Sequence, residues 1–251
     1  MLSVSDHVAA IRREGDLIVA ALRGAQLDTM VPTCPEWTVR ELAHHTGRTH
    51  HWAAANIEQP RATPLSSEEE AAAWGDMPDD AGTPDWYRAA NERLVRALTG
   101  APADVACWSF LPAPSPLAFW ARRQAHEAAI HRVDAELGAG RAVSPLDEEF
   151  ALDGIDELIC GFYSRKGGRL RSETPRTLAV TAGGRTWRVH IGPDGPRGEP
   201  GEGPSDGAVE GKADAVYLAL WNRGRLTDLE VTGDADVLTL WSQKATIRWS
   251  S

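Results

Sequence analysis

Phe119-Trp-Ala-Arg-Arg-Gln-Ala-His-Glu-Ala-Ala-Ile-His-Arg-Val-Asp-Ala-Glu136 is the run around which the rest of the chain is read. Ser115 followed by Pro116 supplies an N-cap and a first helical residue, and Gly138 and Gly140 stop the run. Between them there is room for about six helical turns with no internal Gly or Pro. Phe119, Trp120, Ala125, Ala129, Ile130 and Val133 give the helix apolar cover; His126, Glu127 and His131 interrupt it. Glu127 and His131 are four residues apart and point within roughly 40° of one another around the axis. His126 and His131 are five apart and diverge by roughly 140°. A carboxylate and an imidazole therefore share one face.

This is not the His-Glu-x-x-His pattern, in which two histidines four apart hold zinc with the glutamate as base. One extra residue here keeps His126 from sharing a metal with His131 on a straight helix. Glu127 and His131 can instead supply two ligands to a divalent metal. A catalytic zinc would need a third ligand from elsewhere and an open position. The alternative reading is a Glu–His pair on a solvated helix face.

Working back from this helix, Ser5 to Gly24 reads as an amphipathic helix with Val8, Ile11, Leu17, Ile18, Ala21 and Leu22 as its stripe. Val31-Pro-Thr-Cys-Pro-Glu-Trp37 reads as a two-proline turn, and Thr38-Val-Arg-Glu41 as a capping box that starts a helix running to about Glu58. That helix carries His44, His45, His50 and His51. Val39, Leu42, Thr46 and Ala53 define its inner face; His50 falls within it, His45 on its edge, and His44 and His51 are expected to face solvent. Phase alone leaves both His45 and His50 as partners for the Glu127–His131 pair.

Ser66-Ser-Glu-Glu-Glu70 caps a short helical piece within a loop, and Asp85 to Thr99 is a further helix built on Trp86, Ala89, Leu94, Val95 and Leu98. Cys107 to Pro116 is a rigid connection with three prolines, placed to roof a pocket or only to link helices. Four long helices with a long crossover describe a four-helix bundle, a fold that builds metal sites from facing helices. After Gly140 the signals change. A helix over Asp147–Arg165, a hairpin of Thr177–Thr181 and Thr186–Ile191 around Gly183-Gly184, a turn-rich exposed stretch from Gly192 to Gly207, a helix over Ala213–Trp221, a strand over Leu229–Thr232, a helix over Asp234–Gln243 and a last strand over Ala245–Trp249 are expected. The fold class is α+β: a bundle over residues 1–140 and a smaller α+β domain over 141–251.

The composition narrows the function. The 251 residues carry a formal net charge of -10, which argues against nucleic acid. No stretch approaches the roughly 20 apolar residues of a membrane span, and the N-terminus lacks a signal peptide's pattern. Three scattered cysteines, Cys34, Cys107 and Cys160, form no Cys-x-x-Cys pair and read as reduced packing residues of a cytoplasmic protein.

Four segments carry a resemblance to a known family: Val31-Pro-Thr-Cys-Pro-Glu-Trp-Thr-Val-Arg-Glu-Leu-Ala-His-His45, Cys107-Trp108, Phe119 to Glu136, and Val231-Thr-Gly-Asp234. The chain resembles the mycothiol-dependent maleylpyruvate isomerases, whose first domain is a DinB-like metal-binding bundle and whose second is similar to sterol-carrier-type folds. The resemblance implies a divalent metal, zinc foremost, held by His45, Glu127 and His131. It implies a substrate-handling arginine, matched by Arg223 in Leu220-Trp-Asn-Arg-Gly224. It also implies mycothiol as thiol cosubstrate and a small electrophile as substrate, in isomerisation or S-transfer. Two rival readings are a hydrolase in which the metal ionises water, and a non-catalytic protein binding a small ligand. The oligomeric state is left open, with a monomer as the working expectation.

Overall fold

The computed structural model describes residues 2–163 and 169–245. They form an N-terminal unit, Leu2–Ser144, and a C-terminal unit that begins at Pro145.

Local sequence signals set the helix ends of the N-terminal unit. Helix α1 (Val4–Gly24) opens on a capping box between Ser3 and Asp6. A short hairpin, β1 (Met30–Val31) and β2 (Cys34–Thr38), stands where a plain turn was expected. Helix α2 (Val39–Glu58) begins at the Thr38–Glu41 box, and α3 (Ser67–Trp74) at a box between Ser66 and Glu69. Helix α4 (Thr83–Gly100) has Pro84 in its first turn. In α5 (Pro116–Gly138) the Ser115 hydroxyl accepts the Ala118 N–H at 3.2 Å. Helices α1 and α2 each pack against both α4 and α5. Ile18, Leu22, Val31, Val39, Leu42 and Tyr87 are part of one core that joins α1, α2 and α4 to the hairpin.

Helix α5 departs from an amphipathic surface helix, because almost all of it is buried, polar residues included. The cost of burying charge is met by pairing. Arg132 donates to Glu14 of α1 at 2.8 Å and to Glu136 one turn on at 2.9 Å. Glu136 in turn accepts the Ser144 N–H and hydroxyl, which folds the segment after α5 back onto its last turn.

The facing of α2 also differs from expectation. His44 and His51 are half-buried, not solvent-facing: their rings lie 5.8 and 5.5 Å from that of Trp86 on α4. Positions 44, 47 and 51 share a face, and Trp86 fills the space that Gly47 leaves open. A Cβ built at Gly47 would lie 2.1 Å from the Trp86 ring. The sequence pattern marked one inner face on α2, whereas α2 has two, one toward α5 and one toward α4.

In the C-terminal unit, α6 (Glu148–Asp156) runs into a π-helical turn (Glu157–Phe162). Strands β3 (Arg176–Ala182), β4 (Arg185–Gly192), β5 (Gly195–Pro200), β6 (Gly207–Gly211) and β7 (Glu230–Gly233) form one sheet in the order β5-β4-β3-β6-β7. The β3–β4 hairpin turns on Gly183 and Gly184, both at positive φ (52° and 74°), as a two-residue turn requires. Strand β5 lies within the stretch read as turn-rich, and β6 begins at its end, where no element was expected. β5 lies at an edge, where Pro196 and Pro200 are tolerated, and β6 pairs parallel to β3. Helix α7 (Ala213–Leu220), a 3₁₀ turn (Leu226–Asp228) and α8 (Ala235–Lys244) complete the unit. The end of the helix expected to reach Arg165 and nearly all of the last strand expected over Ala245–Trp249 lie outside the described residues.

Substituting Ala for Gly47 is expected to destabilise the N-terminal unit by about 1–3 kcal/mol through overpacking against Trp86, despite alanine's better helix propensity. Urea unfolding of Gly47→Ala beside wild type checks this; equal or higher stability would refute the packing argument.

Candidate metal centre

His45 leaves α2 toward α5, and Glu127 and His131 come from successive turns of α5. One ligand atom from each lies within 4.8 Å of the other two. His45 Nε2 and His131 Nε2 stand 3.3 and 3.2 Å from the same Glu127 oxygen, Oε1. The two imidazoles meet edge to face, 5.1 Å between centroids. Glu127 and His131 are only 2% and 1% exposed, which excludes the solvated-pair reading. Arg123 stands one turn before Glu127, its Nη2 at 3.5 Å from Oε2.

The imidazole of His131 is fixed from behind. Its Nδ1 lies 2.9 Å from Asp134 Oδ2. Nδ1–H donation to that carboxylate fixes the ring and turns Nε2 toward Glu127. The Asp134 carboxylate accepts the Thr33 hydroxyl at 2.5 Å and the Cys34 thiol at 3.6 Å. The Trp37 ring lies 4.6 Å from that of His45 and 6.0 Å from that of His131.

The electrostatics follow from burial and mutual pairing. Burial alone would raise the Glu127 pKa, but the charge and hydrogen bond of His131, the bond from His45 and the charge of Arg123 hold it well below the usual carboxylate range. Burial likewise pushes His131 down, and Glu127 and Asp134 outweigh it, so its pKa ends raised. For His45 burial wins over the pull of Glu127, and its pKa is lowered. Two imidazoles and a carboxylate converging on one point, with the far nitrogen of His131 on an acid, are a donor set that suits zinc.

His50 is not part of this set. It is fully buried, its ring lies 5.5 Å from that of Tyr87, and neither ring nitrogen has a hydrogen-bond partner among the described residues. Burial pushes its pKa down to about 3. Arg223 belongs to the C-terminal unit. It follows Asn222, which ends α7 at φ 60°, and the Arg223 N–H donates to the Leu218 carbonyl at 2.8 Å. This is a left-handed helix cap. Its guanidinium donates to the Trp221 carbonyl at 2.8 Å.

Sequence reading missed Asp134, Thr33, Trp37 and Arg123. Asp134 was findable, seven residues after Glu127 and three after His131, on the same face. Cys34 was read as packing, and instead its thiol reaches Asp134. The Cys107–Pro116 connection adds an aromatic wall. Trp108 and Phe110 meet Trp52 and Trp120, and the Trp120 indole N–H donates to the Trp108 carbonyl at 2.9 Å. Trp52 and Trp120 are seven residues from His45 and Glu127, so this wall stands about 10 Å along the α2–α5 pair from the centre.

Fold and centre together define a helical bundle with an inward-facing His–Glu–His set, followed by a mixed-sheet α+β unit. The family model "Mycothiol maleylpyruvate isomerase N-terminal domain" matches residues 8–136, and its C-terminal counterpart matches residues 149–240. The chain belongs to the mycothiol maleylpyruvate isomerase family. It is similar to the crystal structure of a mycothiol-dependent maleylpyruvate isomerase (TM-score 0.63) and to that of a histidine-to-alanine mutant of that enzyme (TM-score 0.64). In each case the identity is 16% and the match covers 92% of this chain and 93% of the other. At that identity the likeness establishes the shared fold. No curated protein matches the chain.

Two predictions follow from the geometry. After identical dialysis and metal analysis, His45→Ala, Glu127→Ala and His131→Ala should lose bound divalent metal while His44→Ala and His50→Ala keep it. Full retention in both Glu127→Ala and His131→Ala would remove the site. Second, His50 is buried neutral with a pKa depressed from 6.5 to about 3. Its contribution to stability is complete above pH 6.5 and is lost as pH falls toward 3, at about 1.4 kcal/mol per pH unit for one proton. His50→Phe should therefore flatten the fall of stability across that window; parallel curves for the two proteins would contradict it.

Proposed function

We propose that the chain is a divalent-metal enzyme that activates mycothiol for addition to a small electrophile, either isomerising a maleylpyruvate-like substrate or transferring the thiol to it. The observation that carries this reading is the convergence of His45, Glu127 and His131 in the bundle of a family defined by mycothiol-dependent isomerisation. A divalent cation held by these three side chains, zinc foremost, would supply the charge that lets an entering thiol lose its proton near neutral pH.

The chain's own residues do the rest. Asp134 holds His131 in one tautomer, and Arg123 balances the buried Glu127 charge. Trp37 covers the two histidine rings on one side. The thiol, not the protein, is the nucleophile. Its sulfur adds to the activated double bond, the resulting single bond rotates, and elimination returns the thiol with the geometry inverted. Where the enolate formed on addition instead takes up the proton that the thiol lost, the adduct is the product. Arg223 is proposed to anchor a carboxylate of substrate or thiol, for which a planar guanidinium is suited.

On the same reading the N-terminal bundle, residues 1–140, and the C-terminal α+β unit, residues 141–251, are separate domains; each is matched by its own family model. A cytoplasmic setting is part of the proposal. No helix among the described residues is long and apolar enough to cross a membrane.

The test is a panel of electrophiles, maleylpyruvate among them, given to metal-loaded protein with and without mycothiol. Isomerised or thiol-conjugated product should form only with thiol, and Arg223→Gln should raise KM for carboxylate-bearing substrates. Thiol-independent hydrolysis would put metal-activated water in its place. No chemistry at all, with a thermal shift on apolar ligands, would make the chain a binding protein.

A further inference from the structure

The β1–β2 hairpin reaches both helices that carry the histidine–glutamate set. It is rooted in the N-terminal unit: Val31 is fully buried, the Val39 N–H donates to the Thr29 carbonyl at 2.9 Å, and the Arg40 N–H donates to the Leu27 carbonyl at 2.8 Å. Strand β2 runs directly into α2, so the hairpin and His45 belong to one continuous piece of chain. Its tip crosses to α5, where Thr33 and Cys34 meet Asp134 at a sequence separation of 101 and 100 residues. The prolines on either side, Pro32 and Pro35, restrict the backbone at this tip.

Asp134 has no exposed side-chain surface, and a buried carboxylate needs donors on its oxygens. The Thr33 hydroxyl takes Oδ1; the Cys34 thiol and the His131 imidazole take Oδ2. Without the Thr33 bond the carboxylate could rotate about its Cβ–Cγ axis, and the direction of Oδ2 toward Nδ1 would no longer be set. The hairpin therefore does to Asp134 what Asp134 does to His131. Trp37, near its other end, packs on His45 and His131 together.

We propose that Thr33 and Cys34 are positioning residues of the metal centre, acting through Asp134 on His131, and that the β1–β2 hairpin exists in this chain to hold both ligand helices in register. The inference rests on reading His45, Glu127 and His131 as a metal centre. It goes beyond that reading by assigning a function to residues that touch neither metal nor substrate.

The experiment measures zinc affinity by chelator competition, the absorption spectrum of the cobalt(II)-loaded protein, and Tm without metal. It compares Thr33→Val, Thr33→Ser, Cys34→Ala, Cys34→Ser and His131→Ala with wild type. Thr33→Val should weaken zinc binding about 10–100-fold, the size expected for losing an outer hydrogen-bond partner, and should alter the cobalt spectrum. Thr33→Ser, which keeps the hydroxyl, should restore both. Cys34→Ala should shift the spectrum in the same sense by less, with Cys34→Ser restoring it, and this pair carries the test should Thr33→Val fail to fold. Wild-type affinity and spectrum in Thr33→Val and Cys34→Ala, with only Tm lowered, would overturn the proposal and leave the hairpin a structural element. Wild-type zinc binding in His131→Ala would overturn the metal centre itself, and the positioning role with it.

Discussion

The buried Glu127 carboxylate is the constraint on which the N-terminal unit depends. An ionised carboxylate inside a bundle is tolerated only where charge and hydrogen bonds surround it. His45, His131 and Arg123 do this from two helices, and Asp134 extends the pairing on the far side of His131. A core made only of leucines and alanines would pack α2 against α5 in several nearly equal registers. Four polar groups with fixed directions select one. The price in stability is desolvation of several charges, and what is gained is a single point at which three ligand atoms converge.

A second polar device repeats the arrangement at the end of α5. Arg132 with Glu14 and Glu136 joins α1 to α5 and ties Ser144 to the last turn. The two networks sit on the same helix, offset along its length. This is why a helix with so little apolar periodicity is buried almost throughout. Its buried surface mixes apolar residues with polar networks on several faces, and a single amphipathic stripe could not have revealed them.

Much of the architecture could be read in the sequence because helix ends are written locally. Thr38, Ser66 and Ser115 all cap helices, and the Gly183-Gly184 hairpin turns where its dipeptide says. The Glu127–His131 face was legible from spacing, while the choice of His45 over His50 needed the family resemblance. What could not be read depends on partners far away in the chain. His44 and His51 are half-buried because Trp86 enters over Gly47, and Thr33 and Cys34 acquire a role only when α5 arrives beside them. Strand β5 was invisible because its Gly- and Pro-rich segment is extended by pairing with β4, not by propensity, and β6, short and bounded by glycines, is extended by pairing with β3.

The long reach of the hairpin also governs the order of events in folding. The Thr33–Asp134 bond closes a loop of 101 residues, and His45 meets Glu127 across 82. Contacts of such separation form after local structure, because the entropy of closing the loop is spent before the contact returns anything. Helices α1, α2 and α3 can nucleate on the ribosome from their own capping boxes, yet no fragment ending before α5 contains more than one of the three converging groups. A nascent or truncated chain thus has no preformed place for a thiophilic cation. On the proposed reading, metal capture would be reserved for chains whose bundle has closed, and occupancy would double as a readout of complete folding.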